Sequence, residues 1–426
     1  MRTYEKYKES GIEWIGEIPE HWINASFRRV CERNIVGIAE AATDSYNEKG
    51  VPILRSTNIK NGVIQGEIYL IDEAFDEKNK SKRLFKNDII TVRTGYPGQS
   101  AVITEDLHNC QCFTLLISTL KYNVNPQFYN YYINSYCGIK YFEITAWGSA
   151  QLNISVPILQ ELPITIPTIE EQTSIANYLD SKTTEIDQVV ADKEALVNLY
   201  EEEKKALINE AVTKGVALSR VETIKAKLKP SGIDWLGDVP VHWEVKKLKH
   251  VMQSMNTKRI PLSSEERGEM VERVYDYYGA SGIIDQVEDF IFDEPLLLIG
   301  EDGANLLSRN SRLVFIAKGK YWVNNHAHIL KTKYGLLEYY CELLEQYDFT
   351  IWVTGSAQPK LTSENLMNIE VIVPPLEEQT SIDQYIESET ANINEKINQI
   401  KQEIALLKEY RQALIFEAVT GKVRVD

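Results

Sequence analysis

A mixed α/β (α+β) fold, two modules alternating with two long helices, is what the sequence predicts, and three observations predict it. A set of motifs occurs twice in the same order; the stretches between them carry strand patterns and short aromatic helices; each copy closes on a long run of helical periodicity. The chain is 426 residues long, several times the size of a small domain, so a duplication of roughly 210 residues accounts for it without a further unit.

The first copy opens on SGIEWIGEIPEHW at Ser10–Trp22, and SGIDWLGDVPVHW recurs at Ser231–Trp243, an offset of 221. Trp14, Pro19 and Trp22, like Trp235, Pro240 and Trp243, read as a structural clasp that includes His21 and His242. Further on, Gly148-Ser-Ala-Gln151 returns as Gly355-Ser-Ala-Gln358, IPTIEEQTSIANYLD from Ile166 as VPPLEEQTSIDQYIE from Val373, and ALINEAVTKGV from Ala206 as ALIFEAVTGKV from Ala413, all at an offset of 207. Between the SGI and GSAQ motifs lie 138 positions in the first copy and 124 in the second, and their sequences differ. The frame is repeated while its filling is not.

In the first filling, VPILRSTNI, NDIITVRTG, AVITED, CFTLLIST and LPITIP have strand character; in the second, PLLLIGEDG, RLVFIA, HAHILKT and IEVIVP do. PQFYNYYINSYCGIKYF and LLEYYCELLEQYDF read as short aromatic-rich helices. After each EEQTSI, apolar residues recur by threes and fours: Ile175, Leu179, Ile186, Val189, Leu196, Tyr200 and Leu207, then Ile382, Ile386, Ile393, Ile400, Leu407 and Leu414. Prolines stand just before each run, and no glycine interrupts before Gly215 or Gly421. Helices of this length, about 60 to 65 Å, with one apolar stripe need a partner, and each has its own duplicate.

The net charge of −16 argues at first against a polyanionic partner. Its distribution removes the objection, because residues 166–216 and 371–426, the helical quarter of the chain, hold 10 of the 16 excess negative charges. Residues 1–165 and 217–370 stand at only −2 and −4 and contain basic clusters, such as Lys78, Lys80, Lys82, Arg83 and Lys86, which can hold phosphates locally. No apolar run approaches the roughly 20 residues of a membrane span and no signal-peptide pattern opens the chain, so a cytoplasmic protein is expected. The five cysteines are odd in number and lack CxxC spacing, which points to reduced, buried thiols.

No catalytic or metal-binding set emerges. A Walker A loop, a glycine-rich methyl-donor loop and an [DN]PP[YF] tetrapeptide are all missing. Glu301-Asp302 in IGEDG reads as a turn between strands rather than a metal pair. His326 and His328 in NNHAHIL alternate at strand spacing, and read as imidazoles hydrogen-bonded to neighbours or to nucleic acid rather than as ligands.

The doubled W-[IL]-G-[ED]-[IV]-P-x-H-W at Trp14 and Trp235, the doubled GSAQ and the doubled EEQTSI leads after Pro167 and Pro374 resemble the specificity subunits of type I restriction-modification systems, across essentially the whole chain. The resemblance implies two target-recognition domains, residues 1–165 and 217–370, and two spacer helices, 166–216 and 371–426, that pair as an antiparallel coiled coil with a pseudo-twofold duplication. It implies a non-catalytic subunit, one per complex, that reads a split double-stranded DNA site and recruits two adenine-N6 methyltransferase subunits and the restriction subunits. S-adenosylmethionine, ATP and Mg2+ would then be bound by those partners, and this chain would need no cofactor. Two rival readings are a free-standing regulator that grips a split operator, and a helical scaffold that binds no DNA.

The family offers no side-chain code, so candidate DNA contacts are chosen by chemistry: Arg and Asn/Gln read guanine and adenine edges, while Lys and glycine-turn amides hold phosphates. In the first module these are Arg55, Asn58, Lys82, Arg83, Arg93, Thr94 and Gln151. In the second they are Ser281, Asn305, Arg309, Arg312, Asn325, His326, Gln358 and Lys360.

Overall fold

The computed structural model describes residues 2–40, 45–148, 151–216, 227–302, 305–354 and 359–425. It contains two compact units, Met1–Glu194 with Lys401–Asp426, and Ala195–Ile400. Each unit therefore owns part of both long helices, Ile169–Lys214 and Leu376–Val419.

The two units share a framework. In the first, an antiparallel sheet runs Ser100–Val102, Ile89–Thr91, Leu116–Leu120, Cys31–Val36; in the second, Val314–Ala317, Leu296–Gly300, Ala327–Thr332, Met252–Ser254 follow the same order. The centre strands are continuous apolar runs, such as Leu296–Ile299, fully buried because both faces are covered. A second sheet repeats three strands: Gln111–Cys112 lies parallel to Val51–Leu54, which pairs with Tyr69–Ile71, as Lys320–Val323 lies parallel to Tyr275–Gly279, which pairs with Gly282–Val287. The fourth strand differs. Tyr46–Asn47 extends the Tyr69 edge in the first unit, whereas Phe292–Asp293 extends the opposite edge in the second. The hairpin Ile59–Lys60/Val63–Ile64 belongs to the first unit, turning on Asn61 and Gly62, both at positive φ.

The repeated motifs are the joints. Trp22 and Trp243 are fully buried. The Trp243 indole N–H donates to Glu378 at 2.9 Å and His242 Nε2 lies 2.6 Å from the same carboxylate; Trp22 and His21 meet Glu171 at 3.3 and 2.9 Å. This explains the EEQ triplet: its first carboxylate is exposed, its second takes the clasp, and its glutamine is buried. Gln172 donates to Pro167 O and accepts from Asn125 N–H; Gln379 donates to Pro374 O and accepts from Leu336 N–H. Burial alone would raise the Glu171 pKa, but the His21, Thr168 and Trp22 donors outweigh it and hold the carboxyl below its ordinary value. The helix ends return to the clasps. Gly421 stops its helix at φ +70 with Pro19 and Trp22 against it, and Gly215 does so at φ +82 against Trp243.

Within each unit the helix segments run antiparallel. In the first, Glu194 pairs with Lys408 and Asp187 with Arg411; in the second, Lys204 bonds Asn394 and Lys396 lies over the Tyr200 ring. The second helix buries Ile386, Ile393, Ile397, Ile400, Ile404 and Leu414, a strict alternation of threes and fours once Thr390, Leu407 and Arg411 are included, which is the heptad seam of a coiled coil. The first helix corrects the expected stripe: Val189 and Leu196 are exposed, while Val190 is buried and Val197 half-buried. From Ile186 the expected stripe steps three residues, to Val189, whereas the buried seam steps four, to Val190, so Leu196 gives way to Val197 with the seven-residue repeat unchanged.

Candidate nucleic-acid interface

In the first unit, two of the expected segments converge. Thr94 Oγ1 donates to Asn153 Oδ1 at 2.6 Å, Gly95 N–H donates to Leu152 O, and Ile154 N–H donates to Arg93 O. Arg93, Thr94 and Gln151 are thus neighbours, and Gln151 is exposed. The loop they build is stiff, with Gly95 and Gly98 at φ +93 and +96 and the Phe142 ring so close behind Gly98 that a Cβ would sit 2.3 Å from it. At its tip is Tyr96, 80% exposed, with Trp147 also exposed at 57%. Both were missed by sequence reasoning, although an aromatic between turn residues in TGYPG was the available signal. Below the loop a cleft of about 970 Å3 is lined by Gly62, Val63, Tyr96, Asn130, Ile139 and Arg411 among others.

Other candidates in this unit have structural tasks. Asn58 is 2% exposed; its amide donates to Gln65 O and Glu67 O and accepts from Arg55 N–H, which shapes the turn. The Arg55 guanidinium lies 3.7 Å over the Tyr69 ring and donates to Glu67 O. Arg83 donates to both Asp76 and Glu77, and this pairing raises its pKa. Lys82 is half-buried and makes no ion pair among the described residues.

In the second unit, Ser281 is exposed in the Gly279–Gly282 turn, whose Ala280 O lies against Gly300. Glu301 N–H donates to His326 O, and Asp302 forms a bridge with Lys360, so Ser281, Asn325, His326 and Lys360 surround the end of one sheet. Glu301, expected as a simple turn residue, is a buried hub: it binds Arg259, takes Lys360 at 2.9 Å and lies 3.6 Å from His328. Burial opposes its ionisation, but Arg259 and Lys360 more than offset this and lower its pKa. His326 and His328 face different surroundings. His326 is exposed on Asp302; His328 is buried, accepting from Asn256 Nδ2 at Nδ1 and donating from Nε2 to Leu361 O. Arg309 and Arg312 lie apart from this cluster, against Glu345 and Glu342. Asn305 closes its own loop through Ser311. Gln358 lies outside the described residues.

The chemistry on offer is recognition. Exposed amide, hydroxyl, imidazole and aromatic groups stand on braced loops. Among the described residues no group of three His, Cys, Asp or Glu could hold a metal ion, and no helix is long and apolar enough to cross a membrane. All five thiols are buried, and burial pushes Cys31, Cys110, Cys137 and Cys341 up to about 12, far from a nucleophilic thiolate.

The comparisons with known proteins agree with this frame. Residues 30–196 and 240–406 each match the family model described as type I restriction modification DNA specificity domain. S.HindORF215P of Haemophilus influenzae, named as a type I restriction enzyme specificity subunit, is 34% identical over 156 residues, 36% of this chain and 39% of that one. MjaX of Methanocaldococcus jannaschii, also named as a specificity subunit, is 22% identical over 98% of both chains. A chain from a solved type I restriction-modification system superimposes with a TM-score of 0.70 at 16% identity, over 95% of this chain and 99% of that one. The fold is therefore the mixed α/β, two-helix architecture expected from the sequence.

Proposed function

Because the chain belongs to the family of type I restriction-modification DNA specificity subunits, in which this subunit is not itself catalytic, we propose that it reads a two-part, asymmetric double-stranded DNA site, one half by each module. In this reading residues 1–165 and 217–370 are the target-recognition domains. Residues 166–216 and 371–426 set the gap between half-sites and dock two adenine-N6 methyltransferase subunits; restriction subunits join the same complex. S-adenosylmethionine, ATP and Mg2+ are then needs of the partners.

The observation that carries the proposal is a common framework with different tips. The strand Ile89–Thr91 leads into the Tyr96 loop, and its counterpart Leu296–Gly300 leads into Glu301-Asp302, so equivalent positions display different chemistry. Ten of the 16 excess negative charges lie on the two helical segments, where they suit protein contacts better than DNA. Co-expression with its methyltransferase and genome-wide mapping of N6-methyladenine tests this reading. A two-part motif with a fixed gap is expected; a single continuous motif, or no new methylation with an active partner, refutes it.

A further inference from the structure

The second unit carries a tip built to present two side chains. Asn325 and His326 stand between the strands Lys320–Val323 and Ala327–Thr332. Their backbone is tied from several sides. Glu301 N–H donates to His326 O at 2.9 Å, His326 N–H donates to Asn324 Oδ1 at 2.8 Å, and the Arg259 guanidinium donates to Asn325 O at 3.1 Å and Ala327 O at 3.0 Å. Arg259 is itself held by Glu301, and both are largely buried. A buried ion pair adds little net stability over an apolar pair of the same volume, so fixing geometry is the better account of this one.

The side chains held in this way are open. Asn325 is exposed and its amide has no partner among the described residues. The His326 side chain is 51% exposed, and its one partner is Asp302, with Nδ1 2.9 and 3.0 Å from the two carboxylate oxygens. A carboxylate only accepts, so Nδ1 carries a proton toward Asp302, and in the singly protonated ring Nε2 is an acceptor. Arg259 and Lys360 share Glu301, and with Asp302 alongside two cations stand among two carboxylates, so the tip lacks the net positive charge of a phosphate grip.

We propose that Asn325 and His326 are the base-reading tip of the second module. His326 Nε2 accepts from the exocyclic amino group of adenine or cytosine in the major groove, and Asp302 is the positioning residue that holds the imidazole in that tautomer. Asn325 supplies the adjacent donor and acceptor that match an adenine edge. The inference rests on the modules being DNA readers.

The test uses the intact complex with its methyltransferase subunits, and duplexes of the mapped site in which each amino-bearing base of the second half, other than the adenine that is methylated, is replaced in turn by its analogue lacking that group. One replacement is expected to slow methylation by wild type about 10-fold, and to change the already slower His326→Ala complex less than about 2-fold. Asp302→Asn, whose amide can donate to Nδ1 and so move the proton to Nε2, is expected to lose the native second half-site while reading the first as before, with its melting temperature unchanged. His326→Gln, which keeps an acceptor, is expected to retain part of the preference and serves where Asp302→Asn destabilises the fold. The proposal is overturned if every replacement slows His326→Ala as much as wild type, or if both Asp302→Asn and His326→Gln read the site as wild type does. A wild-type complex with no two-part site overturns the DNA-reading assignment and this proposal with it.

Discussion

Glu378→Ala is expected to destabilise the protein severalfold more than Glu377→Ala, although the two carboxylates are adjacent at the same helix start. Glu377 is exposed, so its loss removes at most the interaction of an acidic side chain with the helix N-terminus, about 0.3–1 kcal/mol. Glu378 accepts from the fully buried Trp243 indole at 2.9 Å and from His242 at 2.6 Å. Its loss removes a charge-assisted bond and leaves a buried N–H unpaired, together about 2–4 kcal/mol. The duplicate supplies an internal control: Glu171→Ala against Glu170→Ala should repeat the contrast, more weakly because the Trp22 bond is 3.3 Å. Thermal unfolding of the full chain measures it, at about 2–4 °C per kcal/mol for a unit of this size. Equal losses for Glu377→Ala and Glu378→Ala would refute the argument that the second acidic position exists to seat the clasp.

Three further outcomes follow from other parts of the molecule. In the first unit Arg411, its side chain only 15% exposed, occupies a seam position and depends on Asp187; Asp187→Ala should cost about 1–3 kcal/mol, and Arg411→Leu less, as urea unfolding would measure. Burial lowers the His328 pKa, and the Arg259 and Lys360 pairing lowers that of Glu301 against its own burial. Both therefore contribute stability that is present above their unfolded values, about 6.5 and 4.3, and is lost as pH falls through the depressed folded values; melting scans from about pH 7 to about pH 2 should show the fall, with its upper part missing in His328→Gln. Tyr96→Ala should leave the melting temperature within about 2 °C yet slow methylation at sites through the first half alone, which kinetics on half-site variants would reveal.

What the sequence made legible was whatever its repetition encoded. The clasps, the helix starts and ends, and the strands flanking the motifs are all where the patterns predicted, because local signals and tertiary demands coincide there. The missed features are those set by distant partners. Nothing near IGEDG says that Arg259 and Lys360 will meet Glu301, and nothing near Arg83 or Arg312 separates a free cation from one already matched by Asp76 or Glu342. Basic clusters in sequence therefore do not distinguish paired from unpaired cations. Asn58 and Asn305 looked like base readers for a related reason: the amide that suits an adenine edge also suits a tight backbone turn. The Val189 stripe failed by a single residue because a step of three or of four from Ile186 meets an apolar residue either way, Val189 or Val190, and only packing selects between them.

The central claim, that each module reads its own half of a divided site, is tested most directly by exchange. Replacing the segment between Trp22 and Gly148 with the corresponding segment of another family member, and mapping N6-methyladenine in cells that supply the methyltransferase, should change one half of the motif and leave the other half and the gap intact. A change in both halves, or in the gap alone, would contradict the account.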